Sequence, residues 1–249
     1  MELQLFGINH KTAKLSEREL FIINDSNQDD FINFFNKEFG DHIESFFALS
    51  TCNRTEVYFY GDHGTAIFVA HKTLEFFGWN DSIRQSLYFF DGESAIEHMC
   101  CVASGLDSQV LGEQEILGQF KKSLQTYTRL GVLHGQLQEF SNEILSIAKS
   151  ARTQTKIGFN PLSVSGLSLK IVQEIFEDPT SQNLTIVGAG QMAMSVIENF
   201  YDNGINNIQA VNRSKKFLQI NDSFSLVTNN LSKLNTLIQT TDILVTSVI

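Results

Sequence analysis

Apolar residues in the first half of the chain alternate with polar ones in short runs, then recur at helical spacing, and each change of period marks an element. Leu3 to Ile8 alternates like a half-buried strand and gives way to a polar loop at Asn9, His10, Lys11 and Thr12. Ser16 and Glu19 have capping-box spacing and predict a short helix. Phe31, Phe34, Phe35 and Phe39 share one face of a predicted helix over 28–39, stopped by Gly40, and that stripe reads as core. Two aromatic and β-branched runs, Ile43 to Leu49 and Glu56 to Tyr60, flank a short polar break that carries Cys52. A helix over 65–77 ended by Gly78, a strand over 86–90, and a helix from Asp91 to about Gly105 follow. This mixture predicts an α+β domain with helices on one face of a sheet.

From Gly105 to Lys121 the polar residues Ser108, Glu113, Glu115 and Gln119 stand among Gly105, Gly112 and Gly118, glycines that permit turns. Helices to about Leu130 and over 136–156 come next, the second carrying Lys149, Arg152 and Lys156 on a polar face that reads as solvated. Gly158 to Pro161 reads as a boundary, separating 1–158 from 159–249. Beyond it Val164, Leu167, Ile171 and Ile175 predict a helix that stops before Pro179. A buried-strand pattern over 183–187 runs into GAGQMA at 188–193 and a helix to about Asp202. Strands over 208–211, 223–227 and 243–248, with a helix over 231–239, complete an α/β Rossmann-type domain. Doubly wound sheets normally have more strands, so this one reads as cut short.

Composition narrows the class. At 249 residues, 42% hydrophobic and 18% charged, the chain is expected to fold around a real core. No apolar run approaches the ~20 residues of a membrane span, and the start lacks signal-peptide form, so the cytoplasm is expected. A net charge of −10 argues against loose binding to nucleic acid, which needs Lys and Arg on phosphates. Any such partner would need a local basic patch. Cys52, Cys100 and Cys101 make no disulfide framework and, with no spaced partners, no metal site.

Two motifs carry chemistry. Cys52 has Thr51, Asn53 and Arg54 beside it, and a nearby guanidinium lowers a thiol's pKa and raises the attacking thiolate. The glycines of 188–193 let the backbone turn tightly against a pyrophosphate at a helix N-terminus. Arg213, flanked by Asn212 and Ser214, suits a ribose 2′-phosphate, so NADP is expected over NAD. His98 lies off the buried face of its helix, and its residue type alone reads as solvated. A thiolate in one domain and an NADP fold in the next suggest a thioester reduced by hydride.

Several motifs, in order, resemble glutamyl-tRNA reductase: GINHKTA at 7–13, STCNRTEVY at 50–58, ASGLDSQVLGE at 103–113, ILGQFK at 116–121, ARTQTKIG at 151–158, then GAG and NRS. The resemblance covers essentially the whole chain. It implies that Cys52 attacks the ester joining glutamate to tRNA, and that NADPH reduces the resulting thioester to glutamate-1-semialdehyde, the first step of five-carbon tetrapyrrole biosynthesis. It places Thr51, Cys52, Asn53, Arg54, Ser108, Glu113, Gln114, Glu115 and Gln119 around the substrate, with Arg54 gripping its carboxylate. His98 is implied to matter for activity, and Gly188, Ala189, Gly190, Gln191, Met192 and Ala193 to hold the cofactor phosphates. Glutamyl-tRNA, and the aminomutase that consumes the semialdehyde, are the implied partners, with no membrane and a homodimer for the full-length family. Cys101 stands where the family has Arg, and Gln114-Glu115 where it has Pro-Gln. The family's C-terminal dimerisation region has no counterpart, so a truncated chain is expected. Two alternatives stay open: a non-catalytic NADP-binding regulatory module of the same pathway, and an enzyme acting on a free acyl thioester such as a coenzyme A derivative.

Overall fold

The computed structural model describes residues 1–78, 81–113, 115–155, 157 and 163–247. The chain divides into two units, Met1–Pro161 and Leu162–Ile249. The predicted boundary segment, along with Gln114 and Lys156, lies outside the described residues.

The first unit runs β1 (Glu2–Asn9), α1 (Leu15–Arg18), α2 (Gln28–Phe39), β2 (Ile43–Ser50), β3 (Arg54–Gly61), α3 (Ala66–Phe76), β4 (Tyr88–Asp91), α4 (Gly92–Ser104), α5 (Glu115–Arg129) and α6 (Gly135–Gln154). Its strands form one antiparallel sheet in the order β2-β3-β1-β4. Neighbouring strand residues point to opposite faces, and both faces find helices. Phe46 packs on Phe35 of α2 with ring centroids 4.1 Å apart, while Phe47 meets Phe120 of α5 at 5.7 Å. Helices therefore cover the sheet on both sides, not one, and β1 and β3 are buried along nearly their whole length. The phenylalanine stripe of α2 does enter the core, where Phe31 and Phe35 are almost fully buried, each contributing roughly 1.5–3 kcal/mol. The α1 cap lies two residues earlier than its spacing suggested, because the Lys14 N–H donates to Glu17 Oε2 at 2.8 Å.

Register matters for the site. Gly7 in the middle of β1 sits opposite Glu56 of β3 on one side and Tyr88 of β4 on the other. A Cβ at Gly7 would lie 2.7 Å from Glu56 Cγ, so only glycine leaves the Glu56 side chain room to lie there.

The second unit runs α7 (Val164–Ile175), β5 (Leu184–Val187), α8 (Gln191–Asp202), β6 (Ile208–Asn212), β7 (Phe217–Gln219), β8 (Ser225–Val227), β9 (Asn229–Asn230), α9 (Leu234–Leu237) and β10 (Ile243–Thr246). Its parallel sheet has the order β10-β5-β6-β9. Counting from β5, that is the 3-2-1-4 order of a doubly wound fold, with the switch point between β5 and β10. The run 223–227 does not join this sheet. It turns back on β7 as a hairpin, and the two-residue β9 takes the place beside β6. The helix predicted over 231–239 shortens to α9 between two 3-10 turns. Among the described residues no helix is long and apolar enough to cross a membrane.

Candidate functional site

The β2–β3 connection presents Cys52 as an exposed thiol. Thr51 closes the turn: its N–H donates to the Arg54 carbonyl at 2.8 Å, and its Oγ1 accepts from the N–H groups of Asn53 and Arg54, both at 3.2 Å. The His10 N–H donates to the Asn53 carbonyl at 2.9 Å, tying the β1 end to the same loop. Arg18 Nε donates to the Cys52 carbonyl at 3.4 Å.

The thiol's environment corrects one expectation. Partial desolvation and then the Glu113 carboxylate push the Cys52 pKa up, Glu115 adds to this, and the backbone and Arg18 only partly oppose it. The cation that chiefly opposes this rise is Arg18. Arg54, 2% exposed, turns its guanidinium inward: NH1 donates to Glu56 Oε1 at 2.8 Å, and NH2 to the Asp107 carbonyl at 2.6 Å and to Asp107 Oδ2 at 2.8 Å. Its fork is thus taken up by protein groups, which also corrects the expectation that it stands open to a substrate carboxylate.

Arg54, Glu56 and Tyr58 alternate along β3 and so share one of its faces. Glu56 is fully buried and accepts from Arg54 NH1, His98 Nε2, Tyr88 OH and Tyr58 OH. Burial alone would raise its pKa, but Arg54, then His98 and Tyr58, outweigh that and hold the carboxyl at about 2. His98 therefore does not sit in solvent. Its Nε2 lies 2.7 Å from Glu56 Oε1, and its ring stacks on Phe90 at 4.6 Å. The outer end of the network is Asp107, which pairs with Arg54 and with Lys11. Burial works against the Asp107 charge, yet these two cations hold its pKa below the usual carboxylate range.

The loop between α4 and α5 carries the remaining residues of this unit. Gly105 and Gly112 both adopt positive φ, and the Gly112 N–H closes the loop on the Gly105 carbonyl at 2.8 Å. Gly118, in contrast, is an ordinary helical position on α5. Arg152 departs from the solvated basic face that its helix predicts, because its guanidinium donates to the carbonyls of Ser104, Gly112 and Glu113 at 2.8–2.9 Å. Among the described residues, Ser108 Oγ inside the loop is buried without a hydrogen-bond partner, as is His10 Nδ1. Glu115 opens α5, and Gln119 lies exposed one turn later. Gln114 is outside the described residues.

In the second unit, Gly188, Ala189 and Gly190 form the turn after β5, and Gln191, Met192 and Ala193 begin α8. Gly188 has φ +126°, and a Cβ there would lie 1.9 Å from the Ser247 carbonyl oxygen. Gly190, at the N-cap of α8, has open space where its Cβ would be. Beyond β6, Arg213 and Ser214 are exposed, and Asn212 Nδ2 donates to the Ser214 carbonyl at 3.0 Å. Turn, helix N-terminus and cation are arranged as a dinucleotide requires, so the residues fit such a cofactor. Among the described residues no group of three or more His, Cys, Asp or Glu could hold a metal.

Sequence reasoning missed Glu56, Asp107, Lys11, Arg18, Tyr88 and the inward role of Arg152. Glu56 did carry a signal: a lone carboxylate inside TEVYFY, where a buried charge demands partners. The others meet through contacts distant in sequence and leave no periodic trace.

Comparison with known proteins adds a separate finding. Residues 6–155 match the family model described as glutamyl-tRNAGlu reductase, N-terminal domain, and residues 170–249 match that of shikimate / quinate 5-dehydrogenase. The glutamyl-tRNA reductase of Saccharophagus degradans is 35% identical over 86% of this chain and 50% of its own length. That of Idiomarina loihiensis is 31% identical over 99% of this chain and 58% of its own. The chain thus spans between half and three-fifths of the length of these curated relatives. A solved structure, glutamyl-tRNA reductase from Methanopyrus kandleri, superposes with a TM-score of 0.59 at 24% identity, over 98% of this chain and 58% of that one, a likeness of fold.

Proposed function

This chain belongs to the glutamyl-tRNA reductase family, and from that premise we propose that it contributes the thiol and the nucleotide site for NADPH-dependent reduction of glutamyl-tRNA to glutamate-1-semialdehyde. The observation that carries the reading is an exposed Cys52 held in a hydrogen-bonded turn at a strand end. The Cys52 sulfur attacks the ester carbonyl carbon, a C–S bond forms as the C–O bond to the tRNA breaks, and the proton lost by the thiol ends on the departing tRNA hydroxyl. His98 serves this site as a proton donor or acceptor. Thr51, Asn53, Ser108 and Gln119 line the substrate side. Gly188 to Ala193 hold the pyrophosphate of a dinucleotide and Arg213 its 2′-phosphate, which is the basis for choosing NADP. A dinucleotide held there would supply a hydride to the thioester carbonyl carbon, the C–S bond breaking as the aldehyde forms and Cys52 being returned as the thiolate. Glutamyl-tRNA is this chain's macromolecular partner in the cytoplasm, with the semialdehyde-consuming aminomutase downstream.

The test uses the full-length protein. Incubation with labelled glutamyl-tRNA and no NADPH is expected to leave a label on the protein that hydroxylamine removes, and Cys52→Ser is expected to remain unlabelled. A labelled Cys52→Ser protein would show that the nucleophile lies elsewhere. The raised pKa of Cys52 is the one observation favouring a non-catalytic NADP-binding module, because it keeps the sulfur protonated. Aldehyde formed by the full-length protein dismisses that second reading.

A further inference from the structure

We infer that Glu56 is the positioning residue for His98: it fixes the proton of the neutral imidazole on Nε2 and leaves Nδ1 as the nitrogen that exchanges protons with the substrate. The inference rests on the proposed reaction for its purpose, but on geometry for its content.

Three features support it. Glu56 is fully buried, and all of its partners are donors: Arg54, Tyr58, Tyr88 and His98. A carboxyl held at about 2 has no proton to give at neutral pH, so in the 2.7 Å contact Nε2 is the donor. Nδ1, on the other side of the ring, makes no hydrogen bond among the described residues, and 11% of the side chain remains exposed. The ring cannot simply flip, because Phe90 stacks on it at 4.6 Å and Tyr88 packs at 5.4 Å.

The sheet explains how this contact arises. Gly7 separates Glu56 from Tyr88 across β1, and with no side chain there the Tyr88 hydroxyl reaches over the strand to Glu56 Oε1. The Arg54 guanidinium donates to the same Oε1, and the Tyr58 hydroxyl holds the other oxygen, Oε2. Glu56 is thus held by two tyrosines and an arginine before it meets the imidazole, which gives the ring a rigid acceptor. Among the described residues the titratable groups in contact with His98 are Glu56 of β3 and Tyr88 of β4, while Arg54 and Tyr58 act on Glu56.

The experiment is a long-range 15N–1H spectrum of the full chain labelled at its histidines, with the His98 signals assigned by their loss in His98→Gln. The six histidines make that assignment tractable. At a pH where the ring is neutral, the expected result is a protonated Nε2 and a bare Nδ1. An Nδ1–H tautomer, or an even mixture, overturns the inference. Tyr88→Phe removes one donor from Glu56 and is expected to leave the tautomer unchanged. Gly7→Ala pushes on Glu56 Cγ and is expected to erode the preference.

His98→Gln gives the functional readout, since its amide nitrogen takes the place of Nε2 and retains the bond to Glu56 while nothing replaces Nδ1. Its melting temperature is expected to match wild type, with transfer of label from glutamyl-tRNA falling about 100-fold or more. Wild-type labelling by His98→Gln would reduce the Glu56 contact to a structural one and overturn the inference. Absence of label in the wild-type protein itself would instead remove the proposed reaction, while the tautomer would stand on the spectrum alone.

Discussion

Single residues decide how ready the sulfur is. Glu113 pushes the Cys52 thiol up, so Glu113→Gln should lower its pKa. The sign follows from charge: a neighbouring anion disfavours the thiolate, and removing it favours ionisation. Alkylation by iodoacetamide should therefore run faster than wild type at neutral pH, and the two rates should converge at alkaline pH where both thiols are ionised. Glu56 acts in the opposite sense. Its carboxyl is held at about 2 against 4.5 for the free group, so its contribution to stability is complete above pH 4.5 and is lost as the pH falls towards 2. Acid titration of unfolding should show a steep fall across that window, and Glu56→Gln should flatten it. At neutral pH the same variant leaves Arg54 with Asp107 as its remaining charged partner, a cost of about 1–3 kcal/mol by urea unfolding.

At the scale of elements, the loop from Gly105 to Glu113 is held by a few contacts with large leverage. Arg152→Ala releases three carbonyls at once and should cost about 2–3 kcal/mol, with faster amide exchange in the loop. Arg152→Lys should recover less than half of that, because an ammonium cannot fork across three acceptors. Most elements themselves were legible. The aromatic alternation of β1 to β3, the phenylalanine face of α2, and the strand-glycine-helix passage at β5 and α8 announce their own periods. What the pattern does not carry is pairing between distant segments. The run 223–227 has strand character whether it joins a parallel sheet or folds on β7, and only the spatial competition with β9 decides. Arg152 on a polar helix face looks solvated until the loop that it grips is in place. Arg54 beside a cysteine looks like its activator until Glu56 and Asp107 claim the guanidinium.

For the molecule as a whole, the two units answer to separate perturbations. Arg213→Ala should weaken NADPH binding about tenfold or more and leave NADH binding little changed, measured by fluorescence titration. Gly188→Ala should abolish binding of both, since its Cβ would fall on the Ser247 carbonyl, while label transfer to Cys52 should persist. The Gly188 packing has another outcome. The Ser247 N–H donates to the Val187 carbonyl at 2.7 Å, so the Gly188 turn is braced by a residue that follows it by about sixty positions. During synthesis the residues of the Cys52 turn and the two strands that flank it have all emerged once β3 has, whereas the Gly188 turn has to wait for Ser247, beyond β10. A nascent chain therefore carries the Cys52 turn before the residue that braces the Gly188 turn has been made.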